Sequence, residues 1–104
     1  MRNLSRLLIF LIGAGSPALA LAEARNSRFN DLKLNCDTCH GVGGHSPTPD
    51  QTPSLAGKSE KYILSQLKAF EAGKRRHPTM NLLGGSMTSE EMKVLGRYYS
   101  RGGK

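Results

Sequence analysis

The chain has 104 residues, with 15 Lys and Arg against 8 Asp and Glu, a formal charge of +7. That length holds one small domain. The basic residues are dispersed, with no aromatic platform or groove motif beside them, which argues against nucleic acid and points to an acidic protein partner or an anionic membrane face.

The first stretch has the pattern of an export signal. Arg2 and Arg6 form a positive segment, residues 7–12 are apolar, and Ala20-Leu21-Ala22 fits a small-residue cleavage site. Gly13, Gly15 and Pro17 interrupt the apolar run, which is too short to span a bilayer comfortably. The expectation is a signal peptide over residues 1–22 and a periplasmic domain over residues 23–104, with an uncleaved N-terminal anchor as the alternative. Cleavage after Ala22 removes Arg2 and Arg6 and takes the charge from +7 to +5. With no Trp, three Tyr and three Phe, one of them Phe10, the domain has a thin core of its own.

Asn26 or Ser27 can cap a helix that runs through Phe29 and Leu32 toward Cys36, residues that share one face. That helix delivers Cys36-Asp37-Thr38-Cys39-His40, the C-x-x-C-H pattern of covalent c-type haem attachment. On one turn of helix two thiols reach the two vinyl groups of a porphyrin, and His40 is carried under the ring to ligate iron. A zinc site would need further ligands, and no third cysteine supplies one. A thioredoxin-like pair would need a βαβ context, and a Cys36–Cys39 disulfide would close too short a loop to stabilise much.

Residues 41–58 read as a Gly- and Pro-rich loop suited to wrapping a cofactor edge. Ser59 then caps a helix with Tyr62, Ile63, Leu67 and Phe70 on one side and Gly73 as its terminator. Residues 77–87 are expected as a second loop. The last helix opens on a capping box, Thr88 and Glu91, and buries Met92, Leu95, Tyr98 and Tyr99. The result is a small all-α domain with substantial loops.

Four residues compete for the iron face opposite His40. Met80, in the second loop just past Pro78, is free to reach it and is favoured. Met87 is better placed for an apolar contact at the entry of the last helix, His45 is too near His40 in sequence, and His77 is the main competitor. An open sixth position is the remaining alternative. Thioether ligation raises the potential and, with both faces filled, suits electron transfer rather than bond chemistry.

Cys36-x-x-Cys39-His40-Gly41, Pro53-Ser54-Leu55-Ala56-Gly57, Tyr62-x-x-x-Gln66-Leu67, Phe70-x-x-Gly73, Pro78-x-Met80 and Tyr98-Tyr99 together resemble class I cytochrome c. More narrowly, the chain is similar to one half of the dihaem periplasmic cytochromes c and to the cytochrome subunit of flavocytochrome c sulfide dehydrogenase. The resemblance implies three to four helices and long loops around one covalent haem c, in an electron-transfer protein rather than an enzyme. It also implies that the Pro53 carbonyl accepts the Nδ1 proton of His40, that Met80 is the distal ligand, and that Gly96 lets the first and last helices approach closely. Two functions follow: a monomeric periplasmic carrier serving an acidic redox partner or a membrane complex, or the haem subunit of a heterodimeric enzyme with a flavoprotein. A haem-based sensor or peroxidase with an open sixth position is the third reading.

Overall fold

The computed structural model describes residues 15–104, so most of the expected signal segment, residues 1–14, lies outside the described residues. Among the described residues, four α-helices and a short 3-10 turn form the regular structure: α1 Pro17–His40, the 3-10 turn Val42–Gly44, α2 Glu60–Glu71, α3 Pro78–Ser86 and α4 Ser89–Ser100. No strand occurs among the described residues, and the all-α expectation holds.

The chain divides into two compact units, residues 1–30 and 31–104. The described part of the first is helical from Pro17 onward and exposed except at half-buried Phe29. Proline suits a first helical turn, where its missing N–H would have no partner, and the Ala-Leu-Ala-Leu-Ala-Glu-Ala-Arg run after it favours helix strongly. That propensity overrides the expected start at Asn26 or Ser27, both of which lie inside α1. No helix among the described residues is long and apolar enough to cross a membrane.

Residues 31–104 hold a core of Leu32, Ile63, Leu67, Phe70, Met87, Met92, Leu95 and Tyr99. In α2 the Ser59 hydroxyl accepts the Tyr62 N–H at 3.0 Å, and the buried positions Ile63, Leu67 and Phe70 recur at helical spacing. In α4 the box is reciprocal: Glu91 N–H donates to Thr88 Oγ1 at 3.1 Å, and Thr88 N–H to Glu91 Oε1 at 2.9 Å. α2 packs against both α3 and α4.

Two expectations are corrected by this packing. A Cβ on Gly96 would lie 3.2 Å from the Glu60 carbonyl oxygen, so the close approach it permits is to the start of α2 and not to α1. Residues 78–86, expected as loop, are helix, with His77 as the N-cap and Pro78 in the first turn. Pro78 breaks a helix only from its interior; in the first turn it starts one. Gly84 is buried, and a Cβ there would meet Glu71 N at 3.0 Å and the Leu67 carbonyl oxygen at 3.3 Å. It is the contact point that lets α3 lie directly on α2.

The two neighbouring glycines of α3 should therefore respond oppositely. Gly84→Ala gains about 1 kcal/mol of helix propensity but presses on two backbone atoms that cannot yield, and overpacking of this kind costs about 1–3 kcal/mol. A methyl added at Gly85 would have nothing within 4 Å, so this position should tolerate alanine and gain up to about 1 kcal/mol. Denaturant midpoints of the two variants check this: the first is expected below the native protein and the second at or above it.

Candidate haem site

Each side chain of the site is placed by a different piece of backbone. α1 ends at His40, and the Gly41 N–H closes the last turn on the Asp37 carbonyl at 2.9 Å. Gly41 has φ +86°, and a Cβ there would overlap the His45 carbonyl oxygen, so only glycine can follow His40 in this turn. The chain then folds back on itself. The Gly44 carbonyl accepts the N–H groups of Leu55 at 2.8 Å and Ala56 at 3.1 Å. Ser46 adds two more ties, its N–H donating to Ser54 Oγ at 2.9 Å and its hydroxyl to the Thr52 carbonyl at 2.6 Å. These bonds hold residues 52–56 so that the Pro53 carbonyl oxygen lies 2.6 Å from His40 Nδ1. A carbonyl can only accept, so Nδ1 carries the proton and Nε2 keeps the lone pair a metal would use.

His40 is buried and faces a cavity of about 410 Å³, within the range of about 300–1,000 Å³ usual for small-molecule and cofactor sites. Cys36, Cys39 and His40 line it, as do Ile63, Leu67, Phe70, Leu83 and Leu95, and Met80 from α3. Lys58, Arg75 and Arg76 are among the lining residues too, and no Asp or Glu lines the cavity with them. The structure thus brings Cys36, Cys39, His40, Pro53 and Met80 to one cavity. Of the competing ligands, Met87 is buried in the core and His45 is exposed, and neither lines it. His77 does line it, but its Nδ1 accepts the Met80 N–H at 3.3 Å as the cap of α3.

The donor set fits haem. Two free thiols, an imidazole with one nitrogen committed to a carbonyl, a thioether, an apolar wall and cations for the porphyrin carboxylates all surround one cavity. Cys36 is half-buried, and that burial pushes its thiol up to about 11 against the lowering effect of Tyr99, while Cys39 is exposed.

Sequence reasoning gives Tyr99 only a packing role. The structure gives it a second one. Its hydroxyl lies 2.6 Å from Asp37 Oδ1 and 3.1 Å from the Lys33 carbonyl oxygen, bonding α4 to the helical turn that carries the two cysteines. The contact spans 62 residues, and Asp37 reads in sequence as a mere spacer between cysteines, so no local signal announces it. Burial first, and donation to Asp37 second, hold the Tyr99 phenol above its usual range.

Comparison with known proteins gives a consistent picture. The chain is 30% identical over 98 residues to cytochrome c4 of Pseudomonas aeruginosa, which covers 93% of this chain and 48% of that protein. It is 34% identical over 80 residues to the cytochrome subunit of sulfide dehydrogenase of Chlorobaculum tepidum, covering 77% of this chain and 71% of the relative. A thiosulfate dehydrogenase electron acceptor of Thiomonas intermedia is 33% identical over 67 residues, 64% of this chain and 31% of its own length. The chain thus spans about half or less of the first and third of these relatives. No protein-family model and no solved structure matches it.

Removing the Tyr99 hydroxyl tests the tie to the attachment turn. Tyr99→Phe should cost about 1–3 kcal/mol, the penalty for stripping a buried partner from a hydrogen bond, read as a lower urea midpoint at unchanged slope. The unfolded chain begins to lose this proton near pH 10, whereas the folded chain keeps it. Native stability therefore falls as the pH rises above about 10, and the native advantage over Tyr99→Phe shrinks with it.

Proposed function

The chain belongs to the class I c-type cytochromes, and we propose that it is a periplasmic electron carrier with one haem c ligated by His40 and Met80. The family carries haem c covalently and consists of electron-transfer proteins rather than catalytic enzymes. The observation that supports this assignment of residues is the single cavity lined by Cys36, Cys39, His40 and Met80. Cys36 and Cys39 provide the thioether links, His40 Nε2 the proximal ligand and Met80 the distal sulfur. Haem, when bound, supplies a one-electron iron couple, and a methionine ligand shifts it toward the reduced form. The protein's own part is to fix both ligands and to offer the ring an apolar wall of Ile63, Leu67, Phe70 and Leu95. Were both His40 and Met80 to bind the iron, no position would be left on it for oxygen or peroxide. Residues 1–22 act as the export signal and residues 23–104 as the cytochrome domain.

Lys58, Arg75 and Arg76 at the cavity, together with the surplus of +5 on residues 23–104, favour an acidic redox protein as partner. A second reading, the haem subunit of an enzyme complex with a flavoprotein, draws its support from the 71% of the sulfide dehydrogenase cytochrome subunit that this chain covers. Stoichiometric copurification with a flavin-containing chain would select the second over the first.

The ligation is tested by replacing each candidate. Met80→Ala should abolish the near-infrared sulfur-to-iron band of the ferric protein, lower the potential and let carbon monoxide bind the reduced form. Met87→Ala should leave the band in place, whereas His77→Ala, which removes the cap on the Met80 N–H, should weaken the band without abolishing it. Survival of the band in Met80→Ala with loss in Met87→Ala moves the ligand to Met87; a native protein without the band has an open or differently filled site, and the carrier reading falls. Electron exchange with an acidic partner should slow between 0.1 M and 1 M salt, as the screening length drops from about 10 Å to about 3 Å. A rate indifferent to salt removes electrostatic steering from the proposal.

A further inference from the structure

At the start of α3, Asn81 makes three hydrogen bonds with one amide group. Its Oδ1 accepts the His77 N–H at 2.9 Å, and its Nδ2 donates to the Phe70 carbonyl at 2.9 Å and to the Arg75 carbonyl at 2.8 Å. The Phe70 bond reaches the end of α2, the Arg75 bond reaches the turn between the helices, and the His77 bond reaches the cap of α3. In an ordinary capping box the third helical residue bends its side chain back to the cap N–H. In α3 that third residue is Met80, whose side chain lines the cavity. The back-reaching bond falls instead to the next residue, Asn81, which leaves the thioether free for the cavity.

We infer that Asn81 is the positioning residue for Met80: it clamps the first turn of α3 to the wall formed by Phe70 and Arg75 and so holds the sulfur at the cavity. Phe70, Arg75, His77 and Met80 all line that cavity, so one half-buried amide ties three of its residues together right beside the fourth, Met80. Only an amide satisfies all three partners, because the clamp needs one acceptor and two donors. An aspartate of the same shape keeps the acceptor and sets an oxygen against two carbonyls. The inference rests on Met80 being the distal ligand.

The test uses the haem-loaded protein and cyanide, which binds ferric iron only when Met80 moves aside. Asn81→Asp and Asn81→Ala should each bind cyanide at least about tenfold more tightly than the native protein, a change of about 1.4 kcal/mol in the hold on the sulfur, and should weaken the near-infrared sulfur band. Thr88→Ala serves as the comparison: it removes the cap of α4 and destabilises the fold without touching α3, so it should leave cyanide affinity near native. Cyanide binding and band intensity unchanged in both Asn81 variants would overturn the positioning role while leaving Met80 as ligand. An equal gain in cyanide affinity in Thr88→Ala would overturn it too, by reducing the effect to general instability. A native protein that lacks the band overturns the ligand assignment itself, and the inference with it.

Discussion

The 2.6 Å contact between the Pro53 carbonyl and His40 Nδ1 is the constraint around which the domain is arranged. It determines which imidazole nitrogen is left for a metal, and it demands that a carbonyl 13 residues away be brought back beneath α1. That demand explains a loop that would otherwise be surprising in so small a unit. Residues 41–58 contain one 3-10 turn and little other regular structure, yet their backbone is tied internally at Gly44, Ser46, Thr52, Ser54, Leu55 and Ala56. The loop is irregular because it must follow the edge of the cavity, and it is ordered because its polar groups find partners on the way.

The same cavity limits what the helices can do. Buried Ile63, Leu67, Phe70, Leu95 and Tyr99 line a space of about 410 Å³, so the helices cannot close on one another as a plain bundle would. They are fastened around the space, with α2 against α3 at Gly84, α2 against α4 at Gly96 and the attachment turn of α1 against α4 through Tyr99. In the proposed ligation haem would fill this space and supply the apolar volume that a chain with so few aromatic residues lacks.

What can be read from the sequence follows the range of each interaction. The C-x-x-C-H attachment pattern, the Ser59 cap and the Thr88–Glu91 box each lie within a few residues, and local spacing is enough to see them. α3 escapes such reading because Pro78, Gly84 and Gly85 each count as breakers when judged one at a time. Pro78 is in fact in a first turn, and Gly84 sits where another backbone passes. His77 followed by proline is a usable start signal, an N-cap side chain before a first-turn proline. The partner of Gly96 is hidden for a different reason: a small residue in a helix announces close packing but not against what. The bond from Tyr99 to Asp37 and the three bonds of Asn81 join residues whose meeting depends on the whole fold, and no spacing rule reaches them.

In the proposed ligation, the two sides of the iron are supported in different ways, and the chemistry of the ligands accounts for it. An imidazole binds iron strongly, so the backbone around His40 has mainly to set its tautomer and ring orientation, and one carbonyl does both. A thioether binds weakly, with no second nitrogen or oxygen by which it could be oriented. Its position must come from the backbone that bears it. Met80 accordingly sits on a helix rather than in a loop, its own N–H held by His77, its helix seated against α2 at Gly84, and its first turn fixed through Asn81. A loop methionine could reach the same place, but it would spend the weak bond on ordering its own chain. A helix already ordered by its cap and its packing leaves that bond to the metal.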